Sequence, residues 1–249
     1  MNLKRLVPVL TVALLPYAAY AADASRTLEA ESPTTGITGI TVNAGVGQLR
    51  ISPSPDDNVH VQIRLEPKSE HFLWFFHWMT QSTPEAVKQV SLQQQQKNGQ
   101  LTYSLNYPDH LDDGDVKQNW TLQVPARLSA NVEMKVGQVD VNGMNGGVAV
   151  NLNVGEITVN APSGPIRATV NVGQIRASSA TKQPGNINLT STLGDARLYM
   201  EGQSVHEHAH RSGLGRSIDV PGKGPDAMKL DVNIGEVSLH IKPEHDIRP

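Results

Sequence analysis

The sequence predicts an all-β fold, a single-domain β-solenoid of the β-helix kind with coils of about 18 residues, and three observations carry that prediction. Glycines recur at Gly137, Gly155 and Gly173 at an interval of 18 residues, and again at Gly194 after 21, with Gly146, Gly164 and Gly185 between them. Self-similarity at a fixed period marks stacked architectures. On both sides of each glycine apolar and polar residues alternate, which is the period of a strand with one buried face. Between units lie the turn-forming clusters NGMNG, NAPSGP and SSATKQPG, rich in residues that reverse a chain.

Within a unit the pattern is regular. Val148, Val150, Leu152 and Val154 precede Gly155; Ile166, Ala168, Val170 and Val172 precede Gly173; Ile187, Leu189, Ser191 and Leu193 precede Gly194. A shorter alternating pair follows each glycine: Val139 and Val141, Ile157 and Val159, Ile175 and Ala177, Ala196 and Leu198. A lone glycine between two strands can take a positive φ and turn the chain sharply. Stacked coils then predict two inward ladders, Val136–Val154–Val172–Leu193 and Val139–Ile157–Ile175–Ala196. Each buried Val or Ile contributes roughly 1.5–3 kcal/mol. The positions between them, including Asn151, Asn153, Arg167, Thr169, Asn171 and Asn188, are expected on the solvated face.

Taken from its start, the chain opens as a secretory signal peptide over residues 1–21. Lys4 and Arg5 form the basic end, Leu6 to Ala18 the apolar run, and Ala19-Tyr20-Ala21 a small-x-small cleavage site,. Pro8 and Pro16 interrupt the run, which is short for a membrane span. The expected location is periplasmic or secreted. Loss of Lys4 and Arg5 leaves 19 basic against 24 acidic residues, a mild acidity that argues against a nucleic-acid partner. There is no cysteine, so an exported form holds together by packing alone. Residues 22–35 read as a flexible N-terminus.

The folded domain is expected over 36–241. Its first part repeats the grammar once: Ile40 and Val42, then Gly45-Val46-Gly47, then Leu49 and Ile51. After the turn SPSPDD come Val59, Val61, Ile63 and Leu65, another alternating strand. The runs VSLQQQQ and LTYSLNY flank Asn98-Gly99, a strong hairpin signal. DHLDDGD, from Asp109 to Asp115, has the composition of a calcium loop but not its spacing, and reads as a solvated acidic turn.

Residues 67–87 form an aromatic insertion. It holds all three phenylalanines, Phe72, Phe75 and Phe76, with Trp74 and Trp78. On a short helix Phe72, Phe75, Phe76 and Met79 share one face. Two roles fit: a plug over an open part of the β stack, or an exposed patch in which Phe72, Trp74, Phe75, Phe76 and Trp78 bind an envelope protein or a membrane surface. No Lys or Arg interleaves with the aromatic residues, as a nucleic-acid stacking platform would require.

The punctuated strands Leu122-Gln123-Val124-Pro125, Val136-Gly137-Gln138-Val139, Val154-Gly155-Glu156-Ile157, Val172-Gly173-Gln174-Ile175 and Ile234-Gly235-Glu236-Val237 resemble those of the bacterial putative-adhesin domains. These are exported β-solenoid domains of unknown function, and the resemblance spans Ile37 to Ile241. It implies the fold and an envelope location, and it brings no catalytic residue and no cofactor. The aromatic insertion departs from the family pattern.

Residues 201–227 form a Gly/His-rich excursion before a last unit, KLDVNIGEVSLHIKP, and a tail at 242–249. His206, His208 and His210 alternate, so in an extended strand three imidazoles would project together and could hold zinc with one position open. No other cofactor is expected. The motifs of nucleophilic catalysis and of dinucleotide or phosphate binding are missing from the sequence. The leading expectation is therefore a non-enzymatic adhesin-like binding or scaffold module for an envelope protein, a glycan or a membrane surface. The alternatives are a metal-binding envelope protein using the three histidines, and an acyltransferase of the left-handed hexapeptide type with one of them as base. The second needs an aliphatic residue every six positions, and Asn142, Asn160 and Ser178 interrupt that.

Overall fold

The computed structural model describes residues 25–67, 87–109, 111–161, 163–179, 186–201, 208–212, 214–220 and 228–242. The strands are β1 (Arg26–Pro33), β2 (Gly39–Pro53), β3 (Asn58–Pro67), β4 (Ser91–Lys97), β5 (Gln100–Asn106), β6 (Val116–Val124) and β7 (Ser129–Asn142). They continue as β8 (Val148–Ala161), β9 (Ile166–Ser179), β10 (Ile187–Glu201), β11 (His208–Ser212), β12 (Gly215–Val220) and β13 (Met228–Lys242). All 13 belong to one hydrogen-bonded sheet that does not close into a barrel. Its main path runs β1-β3-β6-β2-β7-β8-β9-β10-β13-β12-β11, and the β4–β5 pair joins at β2.

From β2 through β13 the long strands lie parallel with like residue on like. Val136 stands beside Val154 and Val154 beside Val172, one 18-residue unit apart. Leu193 follows Val172, and Ile234 follows Leu193. Chain length forces these strands to bend. Ala130 to Asn142 would span about 40 Å if straight, whereas residues 143–147 can reach back only about 20 Å. Yet Val148 pairs beside Ala130. Each long strand therefore folds back at its glycine into two arms that face each other.

Gly155 shows how the corner is made. Its φ is +137°, backbone that side-chain-bearing residues rarely adopt. A Cβ there would stand 1.8 Å from the carbonyl oxygen of Gly137, so only glycine lets successive corners nest. The ladder lapses two positions earlier, at Lys135 beside Asn153. Across the corner the inward positions change parity. In β8 Val148, Val150 and Leu152 are buried, and then Ile157, Val159 and Ala161.

This parity change overturns one of the two expected ladders. Val136, Val154, Val172 and Leu193 do stack in register, but on the outside of the corner, with Val154 and Val172 43% exposed and Leu193 45%. Period two, extended from Leu152, assigns Val154 to the core, yet the turn has already begun there. The other ladder, Val139–Ile157–Ile175–Ala196, is fully buried. The bent strands have 14 or 15 residues in two arms, unlike the three short faces of a hexapeptide helix.

A second correction concerns the N-terminus. Residues 26–33, expected to be flexible, form β1, paired antiparallel with β3 from Arg26 beside Leu65 to Pro33 beside Asn58. Its only apolar side chains, Leu28 and Ala30, gave little hydrophobic signal. The order comes from backbone pairing and from ties across the core. The Tyr103 hydroxyl donates to Ser32 Oγ at 2.9 Å, and Ser32 Oγ bonds Gln94 Oε1 at 3.1 Å. Arg26 donates to the carbonyls of Lys88 and Val90. The predicted hairpin is present as β4–β5, with Asn98 and Gly99 both at positive φ.

Candidate binding surface

The outward side chains form columns because equivalent positions of parallel strands stack about 4.8 Å apart. On the second arms Asn160 Nδ2 donates to Asn142 Oδ1 at 2.7 Å, and Ser178 Oγ to Asn160 Oδ1 at 2.5 Å. On the first arms Asn171 Nδ2 donates to Asn153 Oδ1 at 3.3 Å. Charged members pair along the same faces: Arg176 with Glu156 at 3.5 Å and Arg50 with Asp140 at 3.8 Å. Exposed pairs of this kind contribute little stability, typically under about 1 kcal/mol. They do hold donors and acceptors at fixed spacing on a rigid support.

Grooves formed by described residues interrupt these faces, and two of them hold organised polar groups. The first, of about 500 Å³, lies over β1, β3 and β6 and is lined by Glu29, Glu31, His60, Gln62, Thr121 and Gln123 among others. The β1–β3 register sets Glu31 beside His60, and the 54–57 turn brings Asp56 to the same ring. His60 Nε2 lies 2.9 and 3.1 Å from the two Asp56 oxygens. Its Nδ1 is 4.0 Å from Glu31 Oε2. Glu31, Asp56 and His60 are the one three-residue set among the described residues with the spacing to meet a metal ion. The Asn58 backbone N–H, followed by His60, holds the Asp56 carboxyl below its usual range. No sequence motif announces this set, because Glu31 joins Asp56 and His60 only through strand pairing.

The second groove, of about 480 Å³, lies where the 107–115 loop crosses the corner. Buried Gln118 organises it. Its Oε1 accepts from the Gly45 N–H at 3.1 Å and from Trp120 Nε1 at 2.9 Å. Its Nε2 donates to the Tyr107 hydroxyl at 2.8 Å and to the Asp113 carbonyl at 3.2 Å. Lys135 Nζ reaches Asp113 Oδ1 at 2.7 Å, which raises the lysine's pKa. The expected acidic turn is thus tied to the corner.

Burial, and after it the charges of Asp113 and Asp112, push the Tyr107 phenol well above its ordinary value. Burial also raises Tyr103, against the opposing effect of its bond to Ser32. A phenol raised on folding contributes stability that is complete below its unfolded value near 10 and is lost as pH rises through the folded value. The urea midpoint is accordingly expected to hold from pH 7 to 9 and fall above about pH 10. Tyr107→Phe should flatten that fall while costing about 1 kcal/mol at pH 7, since the Gln118 amide loses an acceptor. Urea titrations across pH, with tyrosinate absorbance, read both effects.

No family model and no curated protein matches the chain. Among solved structures it is similar to a putative cell adhesion protein from Clostridium sporogenes, at 13% identity and a TM-score of 0.41, covering 88% of this chain and 100% of that one. It is also similar to a putative adhesin from Bacteroides fragilis, at 10% identity and a TM-score of 0.29, covering 88% and 97%. A putative adhesin from Parabacteroides distasonis matches at 10% identity and a TM-score of 0.28, covering 87% and 97%.

Of the residues singled out from sequence, Phe72, Trp74, Phe75, Phe76 and Trp78 lie outside the described residues, as do His206 and residues 1–21, where a signal peptide was expected. His208 and His210 fall on β11, beside Asp219 and Ser217 of β12. Sequence reasoning missed Gln118, a polar residue on the inward phase of β6 between Val116 and Trp120, and the Glu31–Asp56–His60 set.

Proposed function

We propose that this chain is a non-enzymatic, exported envelope protein. Its bent strands wind as a β-solenoid, at about 18 residues per coil through β7, β8 and β9, and present their laddered outer faces to another envelope protein, a glycan or the membrane surface. The observation carrying this reading is the in-register outward column, such as Asn142–Asn160–Ser178 with its bonds at 2.7 and 2.5 Å. A column of amides and hydroxyls repeating every strand suits an extended ligand that repeats on a similar length scale. Solenoids make large binding faces in this way, each coil adding a stripe.

The test uses the signal-free chain against peptidoglycan, lipopolysaccharide and separated envelope proteins. Saturable binding to one of these fractions is expected. It should fall at least tenfold in the variant Asn142→Ala, Asn160→Ala, Ser178→Ala, which removes that column, at a melting temperature close to the parent's. Equal binding by that variant and the parent, or no saturable ligand in any fraction, would overturn the reading.

A further inference from the structure

The outward corner residues form an apolar ridge. Val46 and Val136 are half-buried, and Val154, Val172, Leu193 and Ile234 are 43%, 43%, 45% and 47% exposed. Neighbouring members are about 4.8 Å apart. The exposed ridge is on the order of 300 Å², within the range of the largest apolar patch on an ordinary monomer. A stable dimer needs about 800 Å² from each partner. The ridge is too small for a second copy and of the size a short apolar segment covers.

We propose that the occupant is the chain's own aromatic segment, Phe72 to Met79, lying along the Val136–Val154–Val172 part of the ridge. The connection that carries it leaves at Pro67, and the described chain resumes at Val87, four residues before β4. Pro67, where β3 stops, pairs with Val116, whose neighbour Lys117 pairs with Val46. Ser91, where β4 starts, pairs with Asn106. The β5–β2 register, Tyr103 beside Val42, carried on three residues, sets Asn106 level with Gly45. Pro67 and Ser91 thus lie on the two layers at the level of the corner, each two strand spacings from Val46.

Length sets the reach. Nineteen residues going out and back extend at most about 30 Å, and twelve of them as a helix span about 18 Å. At about 4.8 Å per strand Val154 is about 19 Å from Pro67, while Ile234 is about 34 Å away. The segment reaches the middle of the ridge and not its far end. Its chemistry fits as well: Phe72, Trp74, Phe75, Phe76, Trp78 and Met79 carry no charge, and burying them on aliphatic neighbours removes apolar surface on both sides.

The chain has no cysteine, so single thiols report cleanly. Val154→Cys, Ile234→Cys and, as a polar-face control, Asn151→Cys are labelled with a maleimide in the full chain and in one lacking residues 72–79. At Val154→Cys, labelling at least tenfold slower in the full chain than in the deletion is expected, with equal rates at the other two positions. Equal rates at Val154→Cys would overturn the proposal. So would protection that vanishes on dilution, which assigns the ridge to a second copy, or protection appearing only with added lipid vesicles. Because the deletion could unfold, a second measurement uses the full chain with Phe75→Cys and Val154→Cys together. Mild oxidation should give an intramolecular disulfide with this pair and none with Phe75→Cys and Ile234→Cys. A disulfide forming equally in both pairs, or in neither, overturns it as well.

Discussion

Gly155→Ala is expected to cost at least about 3 kcal/mol of folding stability, a large part of the 5–15 kcal/mol available to an ordinary domain. Two effects add. The φ of +137° lies in territory that is nearly glycine-only, with strain of about 1–3 kcal/mol. Beyond that, the new methyl would stand 1.8 Å from the Gly137 carbonyl oxygen, far inside van der Waals contact. Relief requires the two corners to separate, but the neighbouring corners are as close: a Cβ on Gly137 would stand 1.9 Å from the Gly47 carbonyl oxygen, and one on Gly173 1.8 Å from that of Gly155. A shift in one corner therefore moves the next. Gly36→Ala separates the two effects: its φ is +73° and nothing stands within 4 Å of the added Cβ, so about 1 kcal/mol is expected there. Urea unfolding of both variants measures the difference, and equal midpoints would show that nesting at the corner contributes nothing.

The same corner explains how much of the fold was legible in the sequence. Period-two alternation marked the strands, and the 18-residue glycine interval marked the pairing, so Val136, Val154 and Val172 are neighbours as expected. Their direction was not legible. Alternation is a rule for straight strands, and a glycine at positive φ restarts the count on its far side. Gln118 drew no attention in the sequence for a related reason. Its type says surface, but the corner beside Gly45 leaves a buried pocket lined with donors and acceptors, which an amide with two of each fills. β1 escaped notice because its order rests on main-chain pairing with β3 rather than on a hydrophobic stripe. The Glu31–Asp56–His60 set was out of reach for any reading along the chain, since two of its members meet through that same pairing. The aromatic segment stood out at once by composition, and only the positions of Pro67 and Ser91 tell where on the molecule it emerges.

Ile157→Asp and Val154→Asp, three residues apart, are expected to behave oppositely. Ile157 is fully buried between Val139 and Ile175, which are equally buried. Its replacement loses roughly 1.5–3 kcal/mol of apolar burial and leaves a carboxyl group without a partner in the core, which adds several kcal/mol more. Together these approach the whole stability of a domain, so loss of cooperative unfolding is expected at pH 7. Val154 stands outside the corner at 43% exposure, where a carboxylate gives up its contact with the aromatic segment but can still turn to water; the cost there should stay within about 1–2 kcal/mol. The pH dependence provides the check on mechanism. Burial raises the introduced carboxyl's folded pKa above its unfolded value near 4, so relative to the parent the Ile157→Asp penalty grows as pH rises from about 4 and shrinks as pH falls. Thermal melts followed by circular dichroism at pH 4 and pH 7, each referred to the parent at the same pH, read this directly. A Val154→Asp chain as damaged as Ile157→Asp would mean that the corner valines point into the core after all, and that the arms do not change parity at Gly155.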